Sequence, residues 1–210
     1  MDAARNNALW CDAVCRAHGL ETTFTDDVWS ALRRSPPYYP DAVTLTPTAT
    51  ADDVLRAIDT SPGCSVKDSF ASLDLSGHGF HVLFDADWIR LDAAPAGSGA
   101  PAWTVVRDPA GFDRWEVGEV FRPALLDEPG VTFFAGPDGG VIANRTGAVV
   151  GLSNLVVHGD PDKAWAAAAR AIASHHPGLP IVGYDSGDDL AAARRAGFTT
   201  TGPLRVWMKD

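Results

Sequence analysis

Ala148-Val149-Val150-Gly151-Leu152-Ser153-Asn154-Leu155-Val156-Val157 opens the most readable part of this chain, which continues to Asp210. The apolar run is a strand candidate and meets turn residues at His158-Gly159-Asp160-Pro161. An alanine-rich helical segment follows from Asp162 to His176 and stops at Pro177-Gly178. A short apolar run spans Leu179 to Tyr184, and a second helical segment runs from Ser186 to Ala196 before Gly197-Phe198. Leu204 to Met208 is a terminal strand candidate. The order is strand, helix, strand, helix, strand.

Upstream, Val131–Ala135 and Gly140–Asn144 are further strand candidates. The turns at Gly136-Pro137-Asp138-Gly139 and Arg145-Thr146-Gly147 are short, which makes the opening stretch the last strand of an antiparallel meander. A strand from Trp103 to Arg107 and a partly helical segment from Ala110 to Phe121 precede it. Ala93 to Ala102 has no large apolar side chain and no charge, so it reads as a linker. It separates residues 1–92 from residues 103–210.

In the first part, Leu9, Trp10, Ala13, Val14 and Ala17 have helical spacing over Asn6–His18, with Gly19 as the stop. Tyr38 and Tyr39 sit among prolines between Arg33 and Pro40. They form a ligand-facing loop or, the favoured reading, a rigid connection whose rings cover the core. Asp41–Leu45 is a strand candidate, and Thr50 caps a helix over Ala51–Ile58 with Asp52 and Asp53 in its first turn. Ser65–Phe70 reads as a strand, Ser72–Ser76 as a short helix, and His81–Leu91 as a longer strand.

Composition bounds the function. With 210 residues, 46% hydrophobic content and seven tryptophans, the chain builds one large or two small packed domains. A net charge of −10 disfavours nucleic acid as a partner. Three cysteines make no disulfide framework, and Cys11 and Cys15, four residues apart on a helix, read as small buried side chains. His78 and His81 lack a clear third ligand, so no metal site is expected. No apolar run has the length of a membrane span, and the N-terminus lacks a basic start followed by an apolar stretch. The expectation is a soluble cytoplasmic protein with neither membrane nor nucleic acid as partner.

One internal similarity stands out. Val66-Lys67-Asp68-Ser69 leads to Leu73 and Gly79-Phe80, while Val182-Gly183-Tyr184-Asp185-Ser186 leads to Leu190 and Gly197-Phe198. Trp88 and Trp207 follow the two phenylalanines by eight and nine residues. Both read as strand, helix, Gly-Phe, strand, the trace a worn duplication leaves.

The element order from Trp103 to Asp210, with Leu190-Ala191-Ala192-Ala193-Arg194-Arg195-Ala196-Gly197-Phe198 as a fourth helix ending in Gly-Phe, resembles the GNAT acyltransferase superfamily. The resemblance implies an α/β fold with a mixed, mostly antiparallel sheet flanked by helices, and a degenerate second GNAT-like half at the N-terminus. It implies N-acyl transfer from acetyl-CoA or another acyl-CoA to a small amine. The alternative is a non-catalytic GNAT-like binding or interaction module that has lost the coenzyme A phosphate loop.

Carried onto this chain, Leu152–Val157 and Ile181–Tyr184 become the splayed strands. Leu155, Val156 and Val157 would contact the pantetheine, with His158, Gly159 and Lys163 at the phosphates and Ser186 also on the cofactor side. Ser153, Asn154, Tyr184 and Asp185 are the polar residues implied for catalysis, and no metal is implied. The loop departs from the family pattern Gln/Arg-x-x-Gly-x-Gly/Ala, because it has one glycine, Pro161 removes an amide, and Asp160 and Asp162 add negative charge. Asp160 or Asp162 suits a helix start. Ala193 stands where the family often has a tyrosine acid, and no glutamate lies on Leu152–Val157.

Overall fold

The computed structural model describes residues 2–92, 103–115, 120–137 and 139–210. The stretch read as a linker, 93–102, lies outside the described residues. Two compact units emerge, Met1–Ala86 with Gly202–Asp210, and Asp87–Thr201. Each contains part of the two longest strands, β5 (Phe80–Leu91) and β11 (Thr199–Lys209).

The first unit runs α1 (Asp2–Ala17), β1 (Thr22–Phe24), β2 (Val28–Ala31), β3 (Ala42–Thr44), α2 (Ala51–Ala57), β4 (Ser65–Asp68) and the start of β5. Its strand order is β1-β2-β3-β4-β11-β5. β3 and β4 are parallel, with Ala42 opposite Val66 and Val43 opposite Lys67, and α2 makes the crossover that a parallel pair requires. Thr50 caps α2 and exchanges bonds with Asp53, as the sequence leads one to expect.

Val28, Ala42, Val54, Val66, Leu75 and Trp207 form the apolar core of this unit. The packing against α1 is more polar. Trp29 Nε1 donates to Asp12 Oδ1 at 3.2 Å, and Lys67 Nζ, only 4% exposed as a residue, donates to Asn7 Oδ1 at 2.8 Å. Burial pushes the Cys11 thiol up to about 12 and the Cys15 thiol up to about 11, so both remain protonated and act as small apolar groups.

Within the Arg33–Pro40 connection, Tyr39 is buried edge-on to Trp10 at 6.2 Å, while Tyr38 is 86% exposed. One ring covers the core and the other does not. Buried Asp41 anchors this segment. Its carboxylate accepts from Arg34 Nη1 at 2.6 Å, Ser35 N at 2.8 Å and Ser65 N at 2.9 Å.

Two details differ from the sequence reading. No helix forms over Ser72–Ser76, and a 3-10 turn spans Ser76–His78 instead. Asp68 accepts from Phe70 N and Leu73 N, and Asp74 accepts from Ser76 N, the amide that would close a helical turn on Ser72. β1 and β2 were not anticipated; β2 is buried along its whole length and shows no alternation.

The second unit holds Asp87–Leu91 of β5, β6 (Thr104–Val105), β7 (Val131–Gly136), β8 (Gly139–Thr146), β9 (Val149–Val157), α3 (Pro161–His175), β10 (Ile181–Asp185), α4 (Gly187–Arg195) and the start of β11. Its strand order is β5-β10-β9-β8-β7-β6, with only β9 and β10 parallel. The alanines of α3 are small enough to let the helix lie close to the sheet. Trp165 fills the space between, edge-on to Phe198 at 5.5 Å, with Ala164, Ala168, Ile172, Ile181 and Leu190 around it. Each arm of the chain thus presents two parallel strands joined by a helix, then a left-handed glycine (Gly79, Gly197), a buried phenylalanine and a long strand. β4 pairs with β11 and β10 with β5, so each short strand takes the long strand of the other arm.

Replacing Asp41 by alanine leaves Arg34 Nη1 and two backbone amides without their acceptor, while Arg34 Nη2 keeps its bonds to Ser61 and Pro62. The loss should be about 3 kcal/mol, because a buried charge partner is removed. Chemical denaturation monitored by tryptophan fluorescence checks it, and a loss below about 1 kcal/mol would show that solvent satisfies these donors.

Candidate functional site

The opening of interest lies where β9 and β10 part. They pair in parallel only at Ile181 opposite Val150 and Val182 opposite Gly151. At the next step, a Cβ on Gly183 would meet the Leu152 carbonyl oxygen at 2.9 Å, so glycine permits the last close approach. β9 then bulges. Two steps along β8, from Gly140 to Ile142, oppose three along β9, from Ser153 to Val156. Asn154 takes φ 51, a left-handed conformation that asparagine tolerates, and its carbonyl accepts from Trp115 Nε1 at 2.8 Å. Trp115 gave no sequence signal for this role, since its partner is 39 residues away.

Parallel strands bring the two carboxyl ends to one side, so the candidates divide between two walls. Ser153, Leu155, Val156 and Val157 are half-buried on β9, and Asn154 is exposed at the bulge. Tyr184 and Asp185 are half-buried on β10, with the Tyr184 ring edge-on to Trp88 at 5.5 Å. Ser186 is exposed at the start of α4, and its side chain caps nothing.

Asp185 is the perturbed group here. Burial pushes its carboxyl up to about 6, with repulsion from Asp189 adding to the shift and the Ser186 amide, 2.9 Å from Oδ1, opposing it. Sequence alone identifies Asp185 as a polar residue at a strand end. It does not reveal the desolvation.

The turn from β9 carries His158 and Gly159, and the first turn of α3 carries Lys163, all exposed. Asp160 is the N-cap, with Pro161 in the first turn. Its Oδ1 accepts from Asp162 N at 3.0 Å and Lys163 N at 3.4 Å, and its backbone carbonyl accepts from Ala164 N at 3.1 Å. Lys163 Nζ lies 3.6 Å from Asp160 Oδ2. Asp162 is held by Arg195, whose Nε and Nη2 reach it at 2.7–2.9 Å. This bonding lowers the Asp162 carboxyl below its ordinary range and raises the Arg195 guanidinium. A carboxylate of the chain therefore already occupies the place an anion would take at this helix end. Among the described residues, no group of three or more His, Cys, Asp or Glu could hold a metal ion, and no helix is long and apolar enough to cross a membrane.

No protein-family model matches the sequence, and no curated protein does. Several solved structures match the fold. A putative acetyltransferase of the GNAT family from Novosphingobium aromaticivorans is 12% identical, with 90% of this chain and 91% of that one covered and a TM-score of 0.59. A Drosophila protein is also 12% identical, with 98% and 89% covered and a TM-score of 0.52. A GCN5-related N-acetyltransferase from Sphaerobacter thermophilus is 15% identical at a TM-score of 0.45, with 75% of this chain covered; the match spans only 63% of that protein's length. The chain therefore has the GNAT-type fold, a mixed and mostly antiparallel sheet flanked by helices, as its residues led one to expect.

Proposed function

We propose that this protein transfers an acyl group from a thioester to the nitrogen of a small amine, at the opening between β9 and β10. One observation carries the reading: Asp185, raised to about 6, stands at the end of a strand that parts from its parallel neighbour. An amine in water is mostly an ammonium ion and has no lone pair for attack. A carboxylate with a pKa near the working pH is suited to take its proton. Tyr184, Ser153 and Asn154 are the remaining polar groups on the two walls, available to orient the amine or donate to the departing thiolate.

On this reading the donor is an acyl-CoA, acetyl-CoA in the simplest case. The outward edge of Leu155–Val157 and the nearby Ser186 suit its pantetheine arm. The start of α3 does not fit its pyrophosphate, because Asp160 already takes the Asp162 and Lys163 amides and Pro161 offers none. No step of the proposed reaction runs through that end. A net charge of −10 disfavours nucleic acid and anionic membrane surfaces as partners, and the acceptor is read as a small amine in the cytoplasm. The first unit is read as a worn copy of the second.

The same capping of α3 favours a second reading, a non-catalytic GNAT-like module that has lost the phosphate loop. Calorimetry with acetyl-CoA separates the two. On the first reading the parent protein binds, and Asp160→Ser tightens binding by about tenfold or more by removing the carboxylate's charge from the helix end while the serine hydroxyl still caps it. His158→Ala with Lys163→Ala leaves the parent's affinity unchanged, because this end does not hold the pyrophosphate. Absence of both heat and thermal shift at millimolar acetyl-CoA, in the parent and in Asp160→Ser, would sink acyl transfer from coenzyme A. Affinity weakened by His158→Ala with Lys163→Ala would show that the pyrophosphate sits at this helix end after all.

Asp185→Asn gives two further outcomes. As general base, Asp185 should make kcat/KM rise with pH through about 6, and the variant should lose that limb together with about 100-fold or more in kcat. The folded carboxyl lies above its unfolded value of 3.8. Its contribution to stability is therefore full below that value and lost as pH rises through about 6. Asp185→Asn should consequently melt above the parent at about pH 8 and close to it near about pH 3.5. A variant less stable than the parent at the higher pH would contradict the assigned desolvation.

A further inference from the structure

β5 departs from the usual alternation of a strand. From His81 to Asp85 five consecutive residues are exposed, and Val82 (40%), Leu83 (48%) and Phe84 (38%) are three of the five large apolar side chains that the described residues expose. β5 pairs with β10 only from Asp87 to Leu91. Phe80–Ala86 therefore meets β11 along one edge and, among the described residues, no strand along the other. An open edge bearing apolar side chains is a template for another strand. The usual protections are proline, lysine or a bulge, and His81–Asp85 contains neither proline nor lysine.

The charges around this segment indicate what occupies it. His81 Nδ1 lies 3.1 Å from Asp210 Oδ1 at one end. At the other, the Asp85 carboxylate is gripped by Arg205, with Nε at 2.7 Å and Nη2 at 3.2 Å. Antiparallel pairing of two identical segments about a two-fold axis at Leu83 sets Leu83 against Leu83, Val82 against Phe84, and His81 against Asp85. A slip of one residue in either direction sets Asp85 against Val82 or Phe80 and forfeits both His81–Asp85 pairings. The segment is self-complementary in one register only.

We propose that His81–Asp85 is the seam of a two-fold homodimer in which β5 of each copy extends the sheet of the other. Two copies with a net charge of −10 repel at long range, whereas the seam itself sets the His81 imidazole against the Asp85 carboxylate and joins apolar side chains. Moderate salt therefore strengthens the association rather than dissolving it. The proposal is independent of any catalytic reading.

Sedimentation velocity over a range from micromolar to sub-millimolar chain tests it. The expected result is a reversible species of twice the monomer mass whose population rises with salt. Leu83→Lys should weaken dimerisation by at least about tenfold with unchanged circular dichroism, because Leu83 is surface-exposed and its loss leaves the fold intact. His81→Glu should weaken it by placing like charges opposite each other, while His81→Lys should preserve it. Leu83→Cys should oxidise to a covalent dimer, since the axis sets position 83 against itself and the native Cys11, Cys15 and Cys64 are buried. Leu32→Lys, at another exposed leucine, is the control and should change nothing. A chain that stays monomeric throughout, or a dimer indifferent to Leu83→Lys, overturns the proposal.

Discussion

Two parallel registers hold β9 and β10 together, and most of what distinguishes the second unit follows from how short that pairing is. The strands meet at Val150–Gly151 and Ile181–Val182, approach once more where Gly183 offers no side chain to the Leu152 carbonyl, and then part. A longer ladder would close the opening, and a shorter one would leave β10 without a neighbour on that side. The bulge at Asn154 supplies the extra twist that turns β9 away, and the Trp115 indole bonds the carbonyl at that bend. The alanines of α3 and the Trp165–Phe198 contact then support the diverging strands from the helical side.

The start of α3 shows a competition between folding and ligand binding. A helix leaves its first amides without partners, and an anion is the natural complement. Asp160 supplies that anion from within the chain, while Lys163 and Arg195 balance the two local carboxylates. These pairs are exposed and add little stability individually. Their larger effect is to make the helix end self-sufficient. The helix end thus carries, within the chain, the negative charge that an anion would otherwise supply.

Much of this architecture was legible because its causes are local. The α3 and α4 segments, the Thr50 cap and the meander from Val131 to Val157 follow from periodicity, turn residues and capping chemistry. Asp160 was recognisable as one of two possible helix starts because Pro161 follows it. The unreadable parts have distant causes. β1 and β2 are three and four residues long and exist because neighbouring strands pair with them. Ser72–Ser76 looked helical, yet its amides are claimed by Asp68 and Asp74. The shift at Asp185 depends on burial and on Asp189, and the bulge at Asn154 depends on its register with β8. Neither has a signature within a short window of residues.

The placement of β11 bears on synthesis. In the first unit this strand lies between β4 and β5, yet its residues are translated only after those of the whole second unit. While the ribosome is still adding Gly202–Asp210, β4 and β5 have both emerged but lack the strand that joins them. The amino-terminal unit cannot complete its sheet vectorially, although nearly all of its residues are available early. Its closure waits for a segment that follows the whole of the second unit, making that step a long-range one.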